Sequence, residues 1–469
     1  MIGPTGGAGT SRWAKAWSLT RETVPMLIFA LLGLFFSGLE LDRVSTWPAF
    51  VKVDKFLILV PILFNLKGNL EMNLSMRMTT AVRCDALTQA NMGELDNYRT
   101  RRALVTGNMA LLQVQSLIVS CAAGILSFEL GHHDRSESND MARRGPVHST
   151  KPVMDKALRL RDGYFEFALV LSVAQFTASI SSAFQGAFVC ACTIWARYFG
   201  LNPDNIVVPL AGSFGDLVTM TCLSLCGSAF VFFEGTGFAT ALFVVLILAS
   251  LVFAVMTARN AYVHELLGSG WLSLFAAAAL SSLAGLVLER NAGRYHGYPL
   301  LAPVIAGIPG ITAAVHASRL TSALHSKHFV ARTRPSHGAG YIPVDAQAAE
   351  ASPPMSWRQQ LLESLQPQVL EWDSPIVLLF HAVVVQALFV LALHLSGTLI
   401  IDWAFSVALI TVCILLAAGA LALAHTLCLF LWYWDYDPDT TCLPITSALV
   451  DAMAQVCLQG AFAATQKIT

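Results

Sequence analysis

Eleven long, nearly uncharged apolar runs constrain this chain more than any other feature. A helix needs roughly 20 apolar residues to cross the hydrocarbon of a bilayer. The runs are Thr23–Leu39, Phe56–Ala81, Ala103–Phe128, Phe167–Ala196, Asn205–Phe233, Gly235–Ala258, Leu266–Leu288, Tyr295–Ser318, Ser374–Ile401, Trp403–Trp434 and Thr440–Gln466. Only 13% of the residues are charged, against about 25% in soluble domains. The expected fold is an all-α polytopic membrane protein of about eleven transmembrane helices. A net charge of −1 leaves no basic field for nucleic acid. Most of the ten cysteines lie inside apolar runs and read as small hydrophobes, so no disulfides are expected.

Polar content is confined to short stretches. Residues 1–22 form a short polar amino terminus, and the first run reads as an anchor because no small-residue cleavage site follows it. Glu129–Asp162 and Ser326–Asp373 read as long loops, the second with a short amphipathic helix near Trp357–Leu365. Lys and Arg divide equally between the two sides of the membrane. Without the Glu129–Asp162 loop, they favour a cytosolic amino terminus.

The chain also repeats itself. At an offset of 242, Pro61 meets Pro303, Gly68 meets Gly310, Arg77 meets Arg319 and Thr79 meets Thr321. At an offset of 235, Pro203 meets Pro438, Asp204 meets Asp439, Pro209 meets Pro444 and Asp216 meets Asp451. These identities predict a first five-helix unit over 23–233, a connecting helix within 234–265 and a second five-helix unit over 266–466. Five spans plus one connector is even, so the units enter the membrane from the same side, as a parallel repeat.

Asp216 and Asp451 are the foremost candidate site residues. Each lies 13 residues past its proline, about 20 Å along a helix, well inside a roughly 30 Å apolar layer. A charge at that depth is costly and normally faces a bundle interior or a water path. A twofold repeat aims both at its axis, where two carboxylates suit a divalent cation. The bland alternative is that each aspartate hydrogen-bonds a neighbouring helix. Hard oxygen ligands favour Mg²⁺, which keeps most of its water, over Zn²⁺ or Cu⁺. Ca²⁺ and Mn²⁺ also accept such ligands.

The second run carries Lys67-Gly68-Asn69 and then Glu71. It reads as a helix break that could line an ion route through Asn69 and Glu71. Equally, Lys67 and Glu71 at i,i+4 read as a pair that only offsets its own charge. Neither Cys190-x-Cys192 nor Cys222-x-x-x-Cys226 has further ligands beside it. His316, His381, His394 and His425 stand alone and read as helix contacts. No Walker, G-x-S-x-G or H-E-x-x-H motif appears, so neither a nucleotide-driven pump nor a membrane protease is supported, and no enzyme is expected.

Leu59-Val60-Pro61, Leu66-Lys67-Gly68-Asn69-Leu70-Glu71-Met72 and Arg77 resemble the second-span motif of the solute carrier family 41 magnesium transporters, relatives of the bacterial MgtE channels. Gly200-Leu201-Asn202-Pro203-Asp204-Asn205-Ile206, Pro209 and Gly215-Asp216-Leu217 resemble their fifth-span motif. Pro303-Val304-Ile305, Gly307-Ile308, Ala317-Ser318-Arg319, Asp437-Pro438-Asp439 and Pro444 are similar in the second half. The resemblance implies two MgtE-like units in one chain around a central cation pore. Its pore aspartates fall on Asp216 and Asp451, and Asn69, Glu71 and Asn205 are secondary pore-lining candidates. It further implies Mg²⁺ as transported ion with no resident cofactor, Na⁺ as a possible coupling ion and a lipid bilayer as surroundings. A monomer would suffice. The plasma membrane is the expected location, with an intracellular membrane as the alternative. The competing functions are transport of Co²⁺ or Mn²⁺ and a non-conducting membrane scaffold. The second half departs from the family pattern at Pro309-Gly310-Ile311, Thr440 and Val450. A Val beside Asp451 is expected to narrow the pore or alter a helix contact.

Overall fold

In hydrocarbon every backbone N–H and C=O must be satisfied within the chain, so an apolar run of this length becomes a helix. The computed structural model describes residues 12–87, 98–144, 163–198, 203–268, 270–324, 373–397, 399, 402–434, 436 and 438–465. These residues form α1 (Arg12–Ser45), the short α2 (Pro48–Lys52), α3 (Lys55–Leu87), α4 (Tyr98–Arg144), α5 (Tyr164–Tyr198), α6 (Pro203–Val231) and α7 (Phe238–Ala258). After a 3-10 turn at His264–Gly268 come α8 (Trp271–Ala292), α9 (Tyr298–Leu324), α10 (Asp373–Ser396), α11 (Trp403–Tyr433) and α12 (Pro438–Thr465). Among the described residues ten helices are long and apolar enough to span a membrane. The long α3 adds an eleventh helix, less apolar because it carries Lys67 and Glu71 inside the bundle. The chain is an all-α, multi-pass integral membrane protein.

Three local expectations change. The Lys67-Gly68-Asn69 stretch does not break its helix; α3 runs unbroken from Lys55 to Leu87. Lys67 stays within the helix because its ammonium is satisfied sideways, by Ser182 Oγ at 2.7 Å and by Glu71 at 3.7 Å. Part of the polar amino terminus is helical, since α1 begins at Arg12. The first part of the Glu129–Asp162 stretch continues α4 as far as Arg144. The remainder of that stretch, and the amphipathic segment near Trp357–Leu365, lie outside the described residues.

The helices cross over between the two halves. α1 packs against α6 of its own half and against α9 and α10 of the other, while α8 packs against α12 and, across the divide, α3. Both crossings rest on glycine. A Cβ added to Gly38 would stand 2.2 Å from the carbonyl oxygen of Leu300, and one added to Gly285 would stand 2.2 Å from that of Ile58. Leu300 and Ile58 are themselves 242 residues apart. Without a hydrophobic driving force between helices in lipid, such close backbone approach is a main source of association. The connecting helix α7 packs on α4 and α5. Little of it is buried, so it rides at the rim with Leu248, Leu251 and Val252 facing outward.

A second buried charged pair sits inside the first half. Lys55 Nζ lies 2.7 Å from Glu166 Oε1 and 5.1 Å from the Phe128 ring centre, and both charged side chains are fully buried. Removing one partner of such a pair strands the other, at a cost of about 3–5 kcal/mol. Lys55→Met is therefore expected to lower the thermal unfolding temperature of the detergent-solubilised protein markedly. Restoring neutrality with Glu166→Gln should recover part of that loss.

Candidate metal centre

α3 presents Asn65, Gly68, Asn69 and Met72 along one face, at the three- and four-residue spacings that align side chains on a helix. α12 does the same with Ser447, Asp451 and Gln455, each four residues apart. These two faces, Asp216 of α6, Glu71 of α3 and the small-residue face of α9 (Pro303, Ala306, Gly307, Gly310) enclose one cavity of about 180 Å³. Leu34 and Leu41 of α1 and Leu288 of α8 close its sides. That is well above the roughly 15 Å³ a cavity needs to admit one water, so it has room for several.

The two aspartates thus reach one cavity from opposite halves, and Asp216 lies within electrostatic range of both Asp451 and Glu71. Their settings differ. Asp451 Oδ2 receives the amide of Asn65 at 3.4 Å. The same amide donates to Ser447 Oγ at 2.9 Å, and Asn69 donates to Asn65 Oδ1 at 2.7 Å. Asp216 has no hydrogen-bond donor among the described residues. Its backbone surroundings are fixed instead: Gln185 Nε2 donates to the Gly215 carbonyl at 2.5 Å, and Thr219 donates to the same oxygen at 2.8 Å.

Glu71 is 1% exposed, its carboxylate 3.7 Å from Lys67 Nζ and otherwise without a hydrogen bond among the described residues. It lies both beside the cavity and in the i,i+4 pair with Lys67. Gly215 makes room for it, since a Cβ there would stand 2.7 Å from Glu71 Oε2. At the equivalent offsets the second half has Val450 for Gly215 and Ala313 for Glu71. Both are fully buried in one apolar cluster, and Val450 does not line the cavity. Val450 packs in that apolar cluster, and the expected narrowing of the cavity there does not occur.

Asn69 is 5% exposed and lines the cavity. Asn205 lies in the first turn of α6, and its side chain is outside the described residues. Sequence reasoning missed Asn65, Ser447 and Gln455, though the spacing was available: Asn65 precedes Asn69 by four, and Ser447 and Gln455 flank Asp451 by four. Among the described residues no histidine lines the cavity. His316 and His425 stack against each other, ring nitrogens 3.2 Å apart, joining α9 to α11.

Chemically, Glu71 is offset by Lys67, which leaves two carboxylates without a fixed cation beside them. Among the described residues no three His, Cys, Asp or Glu side chains cluster tightly enough to wrap a bare ion. Two separated carboxylates on a space that holds several waters fit an ion that keeps its hydration shell.

The MgtE family profile, described as a divalent cation transporter, matches residues 60–226 and 302–461. Solute carrier family 41 member 3 of Rattus norvegicus is 31% identical over 311 residues, covering 66% of this chain and 60% of its own length. Solute carrier family 41 member 2 of Homo sapiens is 32% identical over 306 residues, 64% of this chain and 48% of its own. The match therefore spans about half to three-fifths of the length of these relatives. No solved structure matches. With most of α3 and α6 in the first matched segment, most of α9 and α12 in the second, and the cavity between them, the chain belongs to the MgtE family.

Proposed function

We propose that this protein transports divalent cations across a membrane, with Mg²⁺ the favoured ion, moving hydrated between a first unit over 23–233 and a second over 266–466. The observation that carries this reading is that Asp216 and Asp451, one from each half, line the same cavity of about 180 Å³. The matching family, described as a divalent cation transporter, supports the same class. Carboxylate oxygens with space for retained water favour Mg²⁺ over softer ions. One chain holds both carboxylates, so a monomer suffices. The proposed setting is the plasma membrane, with the amino terminus in the cytosol.

The test is uptake into liposomes holding the purified protein and a Mg²⁺-sensitive dye, with and without an opposing Na⁺ gradient. Saturable Mg²⁺ entry, weakly reduced by tenfold excess Co²⁺ or Mn²⁺, is the expected result. Entry of Co²⁺ or Mn²⁺ in preference to Mg²⁺ would reassign the ion. Absence of flux for all three would leave the scaffold reading. Acceleration by the Na⁺ gradient would identify an exchanger.

A further inference from the structure

The polar wall of the cavity is one-sided. At the 242-residue offset, Asn65 corresponds to Gly307 and Asn69 to Ile311. At the 235-residue offset, Ser447 corresponds to Gly212 and Gln455 to Met220. Asn65 and Ser447, which bond to each other, therefore each stand where the other half has no side chain at all. Gly307 has no room for one either, since an added Cβ would lie 2.5 Å from Leu34 Cδ1.

Every polar atom of the Asn65 side chain is engaged in one directed chain. Asn69 Nδ2 donates to Asn65 Oδ1 at 2.7 Å, and the Asp451 carboxylate, which only accepts, faces the nitrogen end of the Asn65 amide. The hydrogens on that nitrogen point across the divide to Ser447 Oγ at 2.9 Å and Asp451 Oδ2 at 3.4 Å. Ser447 donates its own hydroxyl hydrogen to the Pro444 carbonyl at 3.1 Å, so its oxygen is left to accept. Asn65 is 6% exposed and Asn69 5%, so little bulk water competes for these groups. The network joins α3 of the first half to α12 of the second.

We propose that Asn65 is a positioning residue for cation binding: it orients the Asp451 carboxylate toward the cavity and makes the two aspartates unequal, Asp451 held and Asp216 free to follow the ion. This rests on the transport reading above. A carboxylate already aimed needs no reordering when the ion arrives, and pre-organisation of this kind is expressed mainly as affinity.

The test is Mg²⁺ flux and Mg²⁺-dependent thermal stabilisation of Asn65→Leu, which keeps volume but loses the donor, and Asn65→Gly, which supplies the residue of the other half. Both are expected to raise the half-saturating Mg²⁺ concentration about threefold or more, with the maximal rate within about twofold. Asn69→Ala, which frees the Asn65 amide to flip, should shift it in the same direction by less, and it carries the test if both Asn65 variants misfold. A purely space-filling Asn65 would leave Asn65→Leu like the parent while Asn65→Gly changed. That result, or a half-saturation that falls, overturns the proposal. If the parent protein carries no divalent cation, the transport reading fails and this inference goes with it. If the parent carries Mg²⁺ and Asn65→Leu is silent, only the inference fails.

Discussion

Asp216→Asn is expected to reduce Mg²⁺ flux by about 100-fold or more while the protein still reaches the membrane and elutes as a single species. Asp216 is one of two cavity carboxylates with no fixed cation beside it. Two unit charges 4 Å apart interact by about 4 kcal/mol at an effective dielectric of 20, and a divalent ion doubles that. Cavity water and the ion's own shell screen most of it. A residual of about 2.8 kcal/mol still amounts to a factor of 100. The asparagine keeps the shape of the side chain, so lost flux reports lost charge. Glu71→Gln should cost the rate less than about tenfold, because Lys67 at 3.7 Å already offsets that carboxylate. Flux within about threefold of the parent in Asp216→Asn would remove the basis for a cation path at this cavity. A Glu71→Gln loss as deep as that of Asp216→Asn would move the ion's main site toward α3.

Gly285→Leu is expected to prevent assembly of the bundle, and Gly38→Leu to do the same. At each position an added Cβ meets a backbone carbonyl oxygen at 2.2 Å, so no rotamer change in a neighbour relieves the contact. Overpacking a core costs about 1–3 kcal/mol when side chains can yield. Here whole helices must separate: α8 from α3, or α1 from α9. These are the contacts that carry each half across to the other, and the cavity lies between them. Loss of the monodisperse peak in detergent is the expected readout, with Gly285→Ala showing a lowered unfolding temperature. A Gly285→Leu protein as stable as the parent would mean that α8 and α3 do not pack as closely as 2.2 Å implies. Gly310 offers a contrast on α9. Nothing stands within 4 Å of a Cβ there, so Gly310→Ala should leave stability unchanged.

Much of the architecture was legible because lipid is an undemanding solvent to read. Each long apolar run had one way to satisfy its backbone, and each became a helix close to the expected place. The exceptions were local. Lys67-Gly68-Asn69 looked like a break because a lysine and a glycine at membrane depth have no good partner in a linear pattern. Ser182, 115 residues away, supplies the partner and the helix continues. The placement of Asp216 and Asp451 in one interior space was also legible, from their equal distances to Pro203 and Pro438. The roles of Val450 and Asn65 were not. Val450 gains meaning only when Ala313 is found in the same buried cluster. Asn65 gains it only when Ser447 and Asp451 are found across the cavity.

The sequence by itself determined the all-α membrane class, the long helices among the described residues and the family, because hydropathy and residue spacing along a helix are local properties. Only the tertiary structure decided which carboxylate is held by an amide, which is balanced by a lysine, and which glycines let the halves interlock. Those depend on side chains that are far apart in the chain and meet only when helices pack.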